Sequence, residues 1–240
     1  MPDAAAEVER ALVVTAHPDD VDFGAGGTIA AWTDAGVEVT YCVITDGDAG
    51  GFDPTVPRSE IPAIRRAEQE AAAKVLGVDD VRFLGYPDGR LTVSIELRRD
   101  VSRVIRQVRP QRVVCQSPVR SFTRIYASHP DHIAAGEAAM CAVYPDARNA
   151  FAHPELLSDE GLDPWAVSEV WVMTSDEPDR YVDVTETFER KLTALRCHES
   201  QMTDVDAMEE RVRTWLGAQA VRGGMPTGHL AETFLVSDTA

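Results

Sequence analysis

Four apolar runs alternate with helical patterns through the first half of this chain, and this alternation constrains the fold more than any other feature. Near-continuous apolar runs are typical of strands buried on both faces of a parallel sheet, whose crossover helices cover those faces. We therefore predict an α/β fold with a mostly parallel sheet between two helical layers. The predicted strands are 11–16, 37–45, 81–85, 112–117 and, later in the chain, 169–175; the predicted helices are 26–35, 59–76, 94–108, 185–199 and 204–220, followed by a glycine-rich tail.

Polar clusters follow the first four predicted strands. They read "AHPDD" (16–20), "TDGDAGG" (45–51), "GYPDG" (85–89) and "SPVRSFTRIYASHPDH" (117–132). In open α/β sheets, ligands bind beyond the carboxyl ends of the strands. The four clusters are thus expected to converge on one crevice.

Two of these clusters carry the residue types of a catalytic metal site. His17 and Asp20 are three residues apart around a turn at Pro18, and His132 is a third ligand from the end of another strand. Two histidines and one carboxylate, with a coordination position left open, suit zinc or iron(II). We therefore predict a metal site at His17, Asp20 and His132 that holds either Zn2+ or Fe2+.

Asp19 and His129 remain beside this predicted metal site. Metal binding lowers the pKa of water, and a nearby carboxylate can take its proton, which makes Asp19 the expected general base. A protonated His129 would stabilise the negative charge that develops on a carbonyl oxygen. Asp131 is expected to orient the His129 ring and to raise the pKa of His129.

Each of these motifs has an ordinary structural explanation. A His-Pro pair is commonly a loop, and an Asp-Asp pair is commonly a solvated turn or helix cap. The two clusters together hold three of the six histidines and both follow predicted strands. This coincidence favours the metal site.

Two further features are less specific. The glycines of "GAGGTI" (24–29) lack the spacing of a dinucleotide-binding loop, so we expect them to let a helix pack closely on the sheet. His198 either interacts with the end of a helix or reaches the pocket as a substrate contact.

The composition excludes several partners. The chain has 40 acidic and 23 basic residues, a formal net charge of -17 and no basic run, which argues against nucleic acid and anionic membranes. The first 14 residues lack the pattern of a signal peptide, and no apolar stretch reaches the roughly 20 residues that span a bilayer. We expect one cytoplasmic domain over residues 1–240, with the oligomeric state left open.

The paired "AHPDD" and "HPDH" motifs resemble the LmbE-like, or PIG-L, family of metal-dependent N-acetylglucosaminyl deacetylases. Supporting segments are "GGT", "TDGDAGG", "RRAEQEAAAKVLGV", "YPDG", "KLTALRCHESQ" and "AETF", so the resemblance covers most of the chain. It implies a Rossmann-like fold, a single zinc ion and hydrolysis of an acetamide on a glucosamine-type sugar. Carried over by motif, the family's metal ligands, base and oxyanion-stabilising histidine fall on the residues assigned above.

The resemblance also implies contacts to the sugar. The family's sugar-binding Arg and Asp come from regions that match Arg65 or Arg66 and Asp88. Arginine forks and carboxylates are suitable partners for sugar hydroxyls and any attached phosphate.

The chain departs from the family pattern at two positions. Many members have Glu directly after the Asp pair, whereas Val21 and then Asp22 follow here. Some members place a mobile Tyr two residues before the "HPDH" histidine, whereas Tyr126 stands three residues before His129. Tyr126 is therefore expected to line the pocket without a catalytic role.

Two other functions stay open at this point. The same groups could cleave a larger amide, such as that of a thiol-sugar S-conjugate. A protein that binds a sugar without turnover is the second alternative, although binding alone would need neither Asp19 nor His129.

Overall fold

The computed structural model describes residues 8–239, apart from the side chain of Tyr126. The predicted pocket contact of Tyr126 therefore lies outside the described residues. Residues 1–7 and 240 of the predicted domain lie outside them as well. The strands are β1 (Arg10–Thr15), β2 (Glu38–Thr45), β3 (Asp80–Tyr86), β4 (Arg112–Gln116), β5 (Glu169–Met173), β6 (Arg180–Asp183) and β7 (Ala231–Asp238). The helices are α1 (Asp20–Asp34), α2 (Ile61–Val75), α3 (Ile95–Val108), α4 (Pro130–Cys141), α5 (Glu155–Ser158), α6 (Phe188–Arg196) and α7 (Val205–Arg222).

A single sheet of seven strands, in the order β3-β2-β1-β4-β5-β7-β6, organises the chain. The first five strands are parallel, and β7 pairs antiparallel with both β5 and β6. This confirms the predicted mostly parallel α/β fold. Strand β7 was not predicted, because the segment after α7 is rich in glycine and was interpreted as a tail.

Alternate side chains of β1 enter two separate cores, which explains why the whole strand is apolar. Leu12 and Val14 pack with residues of α3 and α4, whereas Ala11 and Val13 pack with residues of α1 and α2. A third cluster joins α6 to α7 and includes Leu192 and Leu216. The sheet is therefore covered on both faces.

Helix α1 begins six residues earlier than predicted and includes the glycine run. A Cβ on Gly24 would lie 2.6 Å from Met173 Sδ, and a Cβ on Gly27 would lie 2.7 Å from Val184 Cβ. These glycines allow the close packing that the sequence predicted. Their low helix propensity explains why the predicted helix started too late.

A buried ion pair ties α6 and β7 to α1. Lys191 Nζ lies 2.6 Å from Glu232 Oε1, and neither side chain is exposed. Lys191 also donates to the carbonyl oxygens of Asp22 and Phe23. Glu232 accepts hydrogen bonds from the backbone of Gly27 and Thr28 at the other end of this contact. Because every donor and acceptor of the charged groups has a partner, the pair can be held without contact with water.

The chain runs from β1 to β3 on one side of the sheet and returns to β4 beside β1. This reversal of strand order creates a crevice beyond the carboxyl ends of β1 and β4, where α/β proteins bind ligands. The loop after β1 carries "HPDD", and the loop after β4 leads to "HPDH". Within residues 8–239, no helix is both long and apolar enough to cross a membrane.

Candidate metal centre

The three predicted metal ligands meet at this crevice. His17 follows β1, Asp20 opens α1, and His132 lies in the first turn of α4. His132 Nε2 is 3.0 Å from Asp20 Oδ1 and 3.2 Å from His17 Nδ1, while His17 Nδ1 is 3.4 Å from Asp20 Oδ2. The backbone N–H of His17 also donates to Asp20 Oδ2 at 2.7 Å, which fixes the orientation of this carboxylate.

This donor set fits a tetrahedral metal ion. Zinc bonds of about 2.0–2.2 Å to nitrogen and oxygen place neighbouring ligand atoms roughly 3.3 Å apart. The two imidazole nitrogens are 3.2 Å apart, and each lies 3.0 or 3.4 Å from one of the two oxygens of the Asp20 carboxylate, which agrees with that spacing. Two further groups have ligand atoms within 4.8 Å of one another, namely His17 with His129 and His132, and His17 with Asp88 and Asp131.

The other nitrogen of His17 is held from behind by two carboxylates. His17 Nε2 lies 3.0 Å from Asp88 Oδ1 and 3.3 Å from Asp131 Oδ2. The Asp131 carboxylate also accepts backbone hydrogen bonds from Gly89 and Leu91. A carboxylate on the far nitrogen of a histidine fixes the tautomer and the ring orientation of a metal ligand. Asp88 and Asp131 thus direct His17 Nδ1 towards Asp20.

These contacts differ from those expected for Asp131 and Asp88. The Asp131 carboxylate lies against His17 instead of His129, because Asp131 is in the first turn of α4, where its side chain turns towards the loop after β3. Asp88, expected to contact the sugar, is buried and lies against both His17 Nε2 and Arg65 Nη1. Both residues therefore support a ligand of the candidate metal centre.

The electrostatics of the cluster favour a cation. Burial alone would lower the pKa of His17, but the carboxylates of Asp131, Asp20 and Asp88 outweigh burial and raise that pKa to about 12. Although burial opposes it, His132 lowers the pKa of Asp20 well below its usual value. A positive charge on the His17 ring is thus strongly stabilised, with Asp20 on the side of Nδ1 and with Asp88 and Asp131 on the side of Nε2.

Asp19 lies beside the three donors in a strained backbone conformation. It has φ 94° and ψ −30°, in a region that residues other than glycine rarely adopt. Its N–H donates to Gln69 Oε1 at 2.7 Å, and its carboxylate accepts from Arg65 Nη2 at 3.2 Å. Burial raises the pKa of Asp19 to about 6, with Arg65 opposing this shift and Asp20 adding to it. A carboxyl with this pKa can exchange a proton near neutral pH.

Arg65 makes further contacts with the loops around the site. The buried guanidinium also donates to the carbonyl oxygens of Pro18 and Gly47. Gly47 and Gly50 of the "TDGDAGG" loop make room for it, since a Cβ at either position would approach Arg65 Nη1 to 2.8 or 2.4 Å. The guanidinium thus joins the loops after β1 and β2.

Arg66, the alternative sugar contact, has a different environment. It is exposed, and its guanidinium lies over the ring of Phe83, 4.2 Å from the ring centroid. Of the two arginines, only Arg65 contacts residues of the candidate metal centre.

His129 lies beside the ligand histidines, with its ring centroid 4.9 Å from that of His17 and 5.3 Å from that of His132. Its Nδ1 accepts the backbone N–H of Asp131, which places the proton of a neutral ring on Nε2. Burial and the charges of His17 and His132 lower the pKa of His129, although Asp131 acts in the opposite direction. The expected rise in this pKa is therefore not found, and His129 is a neutral Nε2–H donor.

His198, which the sequence left between a helix-end contact and a pocket contact, is fully buried behind Asp19. Its Nε2 lies 2.8 Å from Asp22 Oδ2, and the same carboxylate oxygen accepts from Gln69 Nε2 at 2.8 Å. Although burial opposes it, Asp22 raises the pKa of His198. Since Gln69 Oε1 accepts the N–H of Asp19, the four residues form one chain of hydrogen bonds that runs from His198, just after α6, through Asp22 of α1 and Gln69 of α2 to Asp19.

The sequence did not predict Gln69 as a residue of the site, nor the structural role of Asp22. Gln69 is a fully buried polar side chain in α2, a helix whose other buried positions include Ala72 and Ala73. The visible signal was a glutamine among the apolar positions of an amphipathic helix. Its partner, Asp19, is 50 residues away, which no local pattern indicates.

Comparison with known proteins agrees with the fold and the motifs. A sequence model of the PIG-L family, described as GlcNAc-PI de-N-acetylase, matches residues 12–143. A diacetylchitobiose deacetylase of Thermococcus kodakarensis is 34% identical over 223 residues, which cover 93% of this chain and 80% of the relative. A probable N-acetyl-alpha-D-glucosaminyl L-malate deacetylase 2 of Bacillus cereus is 34% identical over 79% of this chain and 82% of its own length.

A solved structure shows the same architecture. The N,N'-diacetylchitobiose deacetylase of Pyrococcus horikoshii, complexed with its inhibitor MPG, superposes with a TM-score of 0.89 at 33% identity, covering 97% of this chain and 85% of that protein. The family match spans all three proposed donors of the candidate metal centre, His17, Asp20 and His132. The chain belongs to the PIG-L family.

Proposed function

We propose that this protein is a metal-dependent hydrolase that removes the N-acyl group, typically acetyl, from a glucosamine-type sugar. The observation that carries the proposal is the convergence of His17, Asp20 and His132 at 3.0–3.4 Å. The buried carboxylate of Asp19, the residue before Asp20, is close enough to interact electrostatically with Asp20 and His17. The relatives support it, since their names describe deacetylation of diacetylchitobiose and of an N-acetylglucosaminyl malate. In this proposal the whole chain acts as one domain on a small amino-sugar substrate.

His17, Asp20 and His132 would hold the metal. Two imidazoles and one carboxylate suit both Zn2+ and Fe2+, and Zn2+ is the ion that the family resemblance implies. When bound, the ion supplies a Lewis acid that polarises the amide carbonyl and lowers the pKa of water. Asp88 and Asp131 keep His17 in the tautomer that this requires.

Asp19 acts as the base in this scheme. With its pKa near 6, the carboxylate takes a proton from the attacking water and then returns one to the departing nitrogen. The amide C–N bond breaks, the water oxygen bonds to the carbonyl carbon, and the products are a carboxylate and a free amine. His129 donates its Nε2–H to the carbonyl oxygen as negative charge develops there.

Release of primary amine tests this function. The zinc-loaded protein is incubated with N-acetylglucosamine, N,N'-diacetylchitobiose and malate- and inositol-linked N-acetylglucosamine, with and without a chelator. We expect amine release that the chelator abolishes, and in Asp19→Ala a loss of about 10²- to 10⁴-fold in kcat with metal content unchanged.

The controls separate the parts of the proposal. Activity that survives in Asp19→Ala would contradict the role of the base but not that of the metal. Tight sugar binding with no amine release from any substrate would favour a binding protein over a hydrolase.

A further inference from the structure

A cavity of about 590 Å³ opens directly beside two of the proposed metal ligands, Asp20 and His132. This volume lies within the range of about 300–1,000 Å³ that is usual for small-molecule sites. The methyl group of an acetamide would fill roughly the volume of one water molecule, ~30 Å³. The cavity is therefore much larger than the acetyl group that the relatives are named for removing.

The walls of this cavity are mainly apolar. They are formed by Phe23 and Gly24 of α1, Met173 of β5, and Met208, Val212 and Trp215 of α7. Its two arginines do not make it a charged site, because Arg124 is paired with Asp176 and Arg211 is exposed. Two further polar residues line the cavity, Thr174 and Gln116, and Gln116 Oε1 already accepts the N–H of Ala16. A sugar ring, whose hydroxyl groups need hydrogen-bond partners, would find few here, whereas an alkyl or aryl group would be desolvated favourably.

The sheet order separates this apolar region from the polar side of the site. The candidate metal centre lies at the ends of β1 and β4; β2 and β3 lie on one side of it, and β5 lies on the other. The loop after β2 carries the carboxylates of Asp46 and Asp48, whereas the cavity lies on the side of β5 and α7. An amide that spans the site therefore meets hydrogen-bonding groups in one direction and apolar side chains in the other.

We propose that the cavity receives the acyl group of the substrate, and that the preferred substrates are glucosamine-type sugars with an apolar N-acyl chain longer than acetyl. This inference rests on the proposed function, because it assigns the two ends of the amide that is hydrolysed. Hydrolysis would break the amide C–N bond and add water, giving the carboxylate of the longer chain and the free amino sugar. The sugar hydroxyls would face the loops after β2 and β3.

A series of N-acyl glucosamines tests the assignment, with N-acetyl, N-butanoyl and N-hexanoyl compounds given to the zinc-loaded protein. Burial of one methylene corresponds to about fourfold in binding. We expect kcat/KM for the hexanoyl compound to exceed that for the acetyl compound by about tenfold or more. If the acetyl compound is hydrolysed and kcat/KM falls as the chain grows, the acyl assignment is wrong while the proposed function stands. If no compound releases amine, the proposed function itself fails.

Substitutions in the wall locate the effect. Val212→Phe narrows the cavity and Trp215→Ala removes part of its wall, so each should lower the ratio of hexanoyl to acetyl kcat/KM by about fivefold or more. The matched control is Val221→Phe, which places the same change at an exposed position of the same helix and should keep the wild-type ratio. A ratio is measured within one protein sample, so partial misfolding does not affect it. Unchanged ratios in both wall variants would overturn the proposal.

The opposite assignment is tested with a substrate that carries its alkyl chain on the sugar instead of on the amide. A hexyl glycoside of N-acetylglucosamine carries the same apolar group on the sugar. Under the proposal, kcat/KM for this glycoside is only slightly higher than kcat/KM for N-acetylglucosamine. A gain of about tenfold for the glycoside, sensitive to Val212→Phe, would show that the cavity takes the aglycone and would overturn the proposal.

Discussion

Asp19 combines a strained backbone with a buried carboxyl group. Its φ of 94° costs a residue with a side chain about 1–3 kcal/mol, and burial raises its pKa to about 6. Both features reduce stability, and both place a proton acceptor beside the donors of the candidate metal centre. Strain and a perturbed pKa in a cleft together favour a functional role for this residue.

The backbone strain can be measured by two substitutions that both remove the carboxylate. Asp19→Ala keeps a Cβ at φ 94°, whereas Asp19→Gly adopts this conformation without steric cost. We expect Asp19→Gly to have the larger free energy of unfolding, by about 1 kcal/mol after the entropy of glycine in the unfolded chain is allowed for. Urea denaturation of the two variants at one pH gives the comparison. Equal stabilities would show that the conformation stores no strain.

The raised pKa of Asp19 predicts the acid side of the pH profile. The base must be a carboxylate, so kcat/KM should fall tenfold per pH unit below the midpoint of this titration. The midpoint is expected at pH 6 or lower, because a bound cation favours the carboxylate form of Asp19, as Arg65 does. Arg65→Gln removes that favourable charge and should move the midpoint upward. The measurement is kcat/KM from pH 4 to 8 for both proteins. A midpoint that moves downward in Arg65→Gln would contradict the assignment.

At the scale of the elements, the sequence predicts most accurately the bounds of those elements that consist of one continuous apolar run. The ends of β1, β2 and β4 agree to within one or two residues, because buried parallel strands are continuous apolar runs. Helix α1 was predicted to begin at residue 26 instead of Asp20, because glycines with packing partners far along the chain look like a loop. Helix α4 and strands β6 and β7 are not among the predicted elements.

The same distinction applies to the candidate site. The ligands could be predicted because each motif is local, and the strand ends brought the two motifs together. The contacts that support these side chains could not be predicted. Asp88 and Asp131 contact His17, and Gln69 contacts Asp19, across 50 to 114 residues of sequence. Burial and the choice of partner decide whether a carboxylate supports a ligand or contacts a substrate, and both depend on the tertiary structure.

The hydrogen-bond chain from His198 through Asp22 and Gln69 to Asp19 gives a prediction for Gln69. Gln69→Leu leaves the N–H of Asp19 and the carboxylate of Asp22 without this partner, so the free energy of unfolding should fall by about 1–3 kcal/mol. Because Asp19 is no longer held, kcat should fall more than KM rises, while the metal content stays at that of the wild type. Glu70→Leu, at an exposed position of the same helix, is the control. A loss of stability with unchanged kcat would leave Gln69 a purely structural residue.

At the scale of the whole molecule, the candidate metal centre joins two halves of the fold. His17 and Asp20 belong to the segment from β1 to α1, whereas His132 belongs to α4, which follows the return of the chain to β4. A ligand that binds only the folded protein stabilises it by mass action, by about 4 kcal/mol at 1,000 times its dissociation constant. The metal is therefore expected to contribute to the stability of the fold as well as to its chemistry.

Thermal denaturation of the metal-free protein, with and without added zinc, tests this expectation and also locates the ion. For a protein of this size, about 4 kcal/mol corresponds to a rise in Tm of roughly 8–16 °C. His132→Ala should abolish the rise if the ion lies among His17, Asp20 and His132, as it also would for the group of His17, His129 and His132. The alternative group of His17, Asp88 and Asp131 does not include His132, so an ion bound there would still raise the Tm of His132→Ala. Asp88→Asn gives the converse result, since it removes a ligand from the alternative group but only a supporting contact from the proposed one. A Tm rise that survives in His132→Ala and disappears in Asp88→Asn would therefore move the metal to the other side of the His17 ring, away from Asp19.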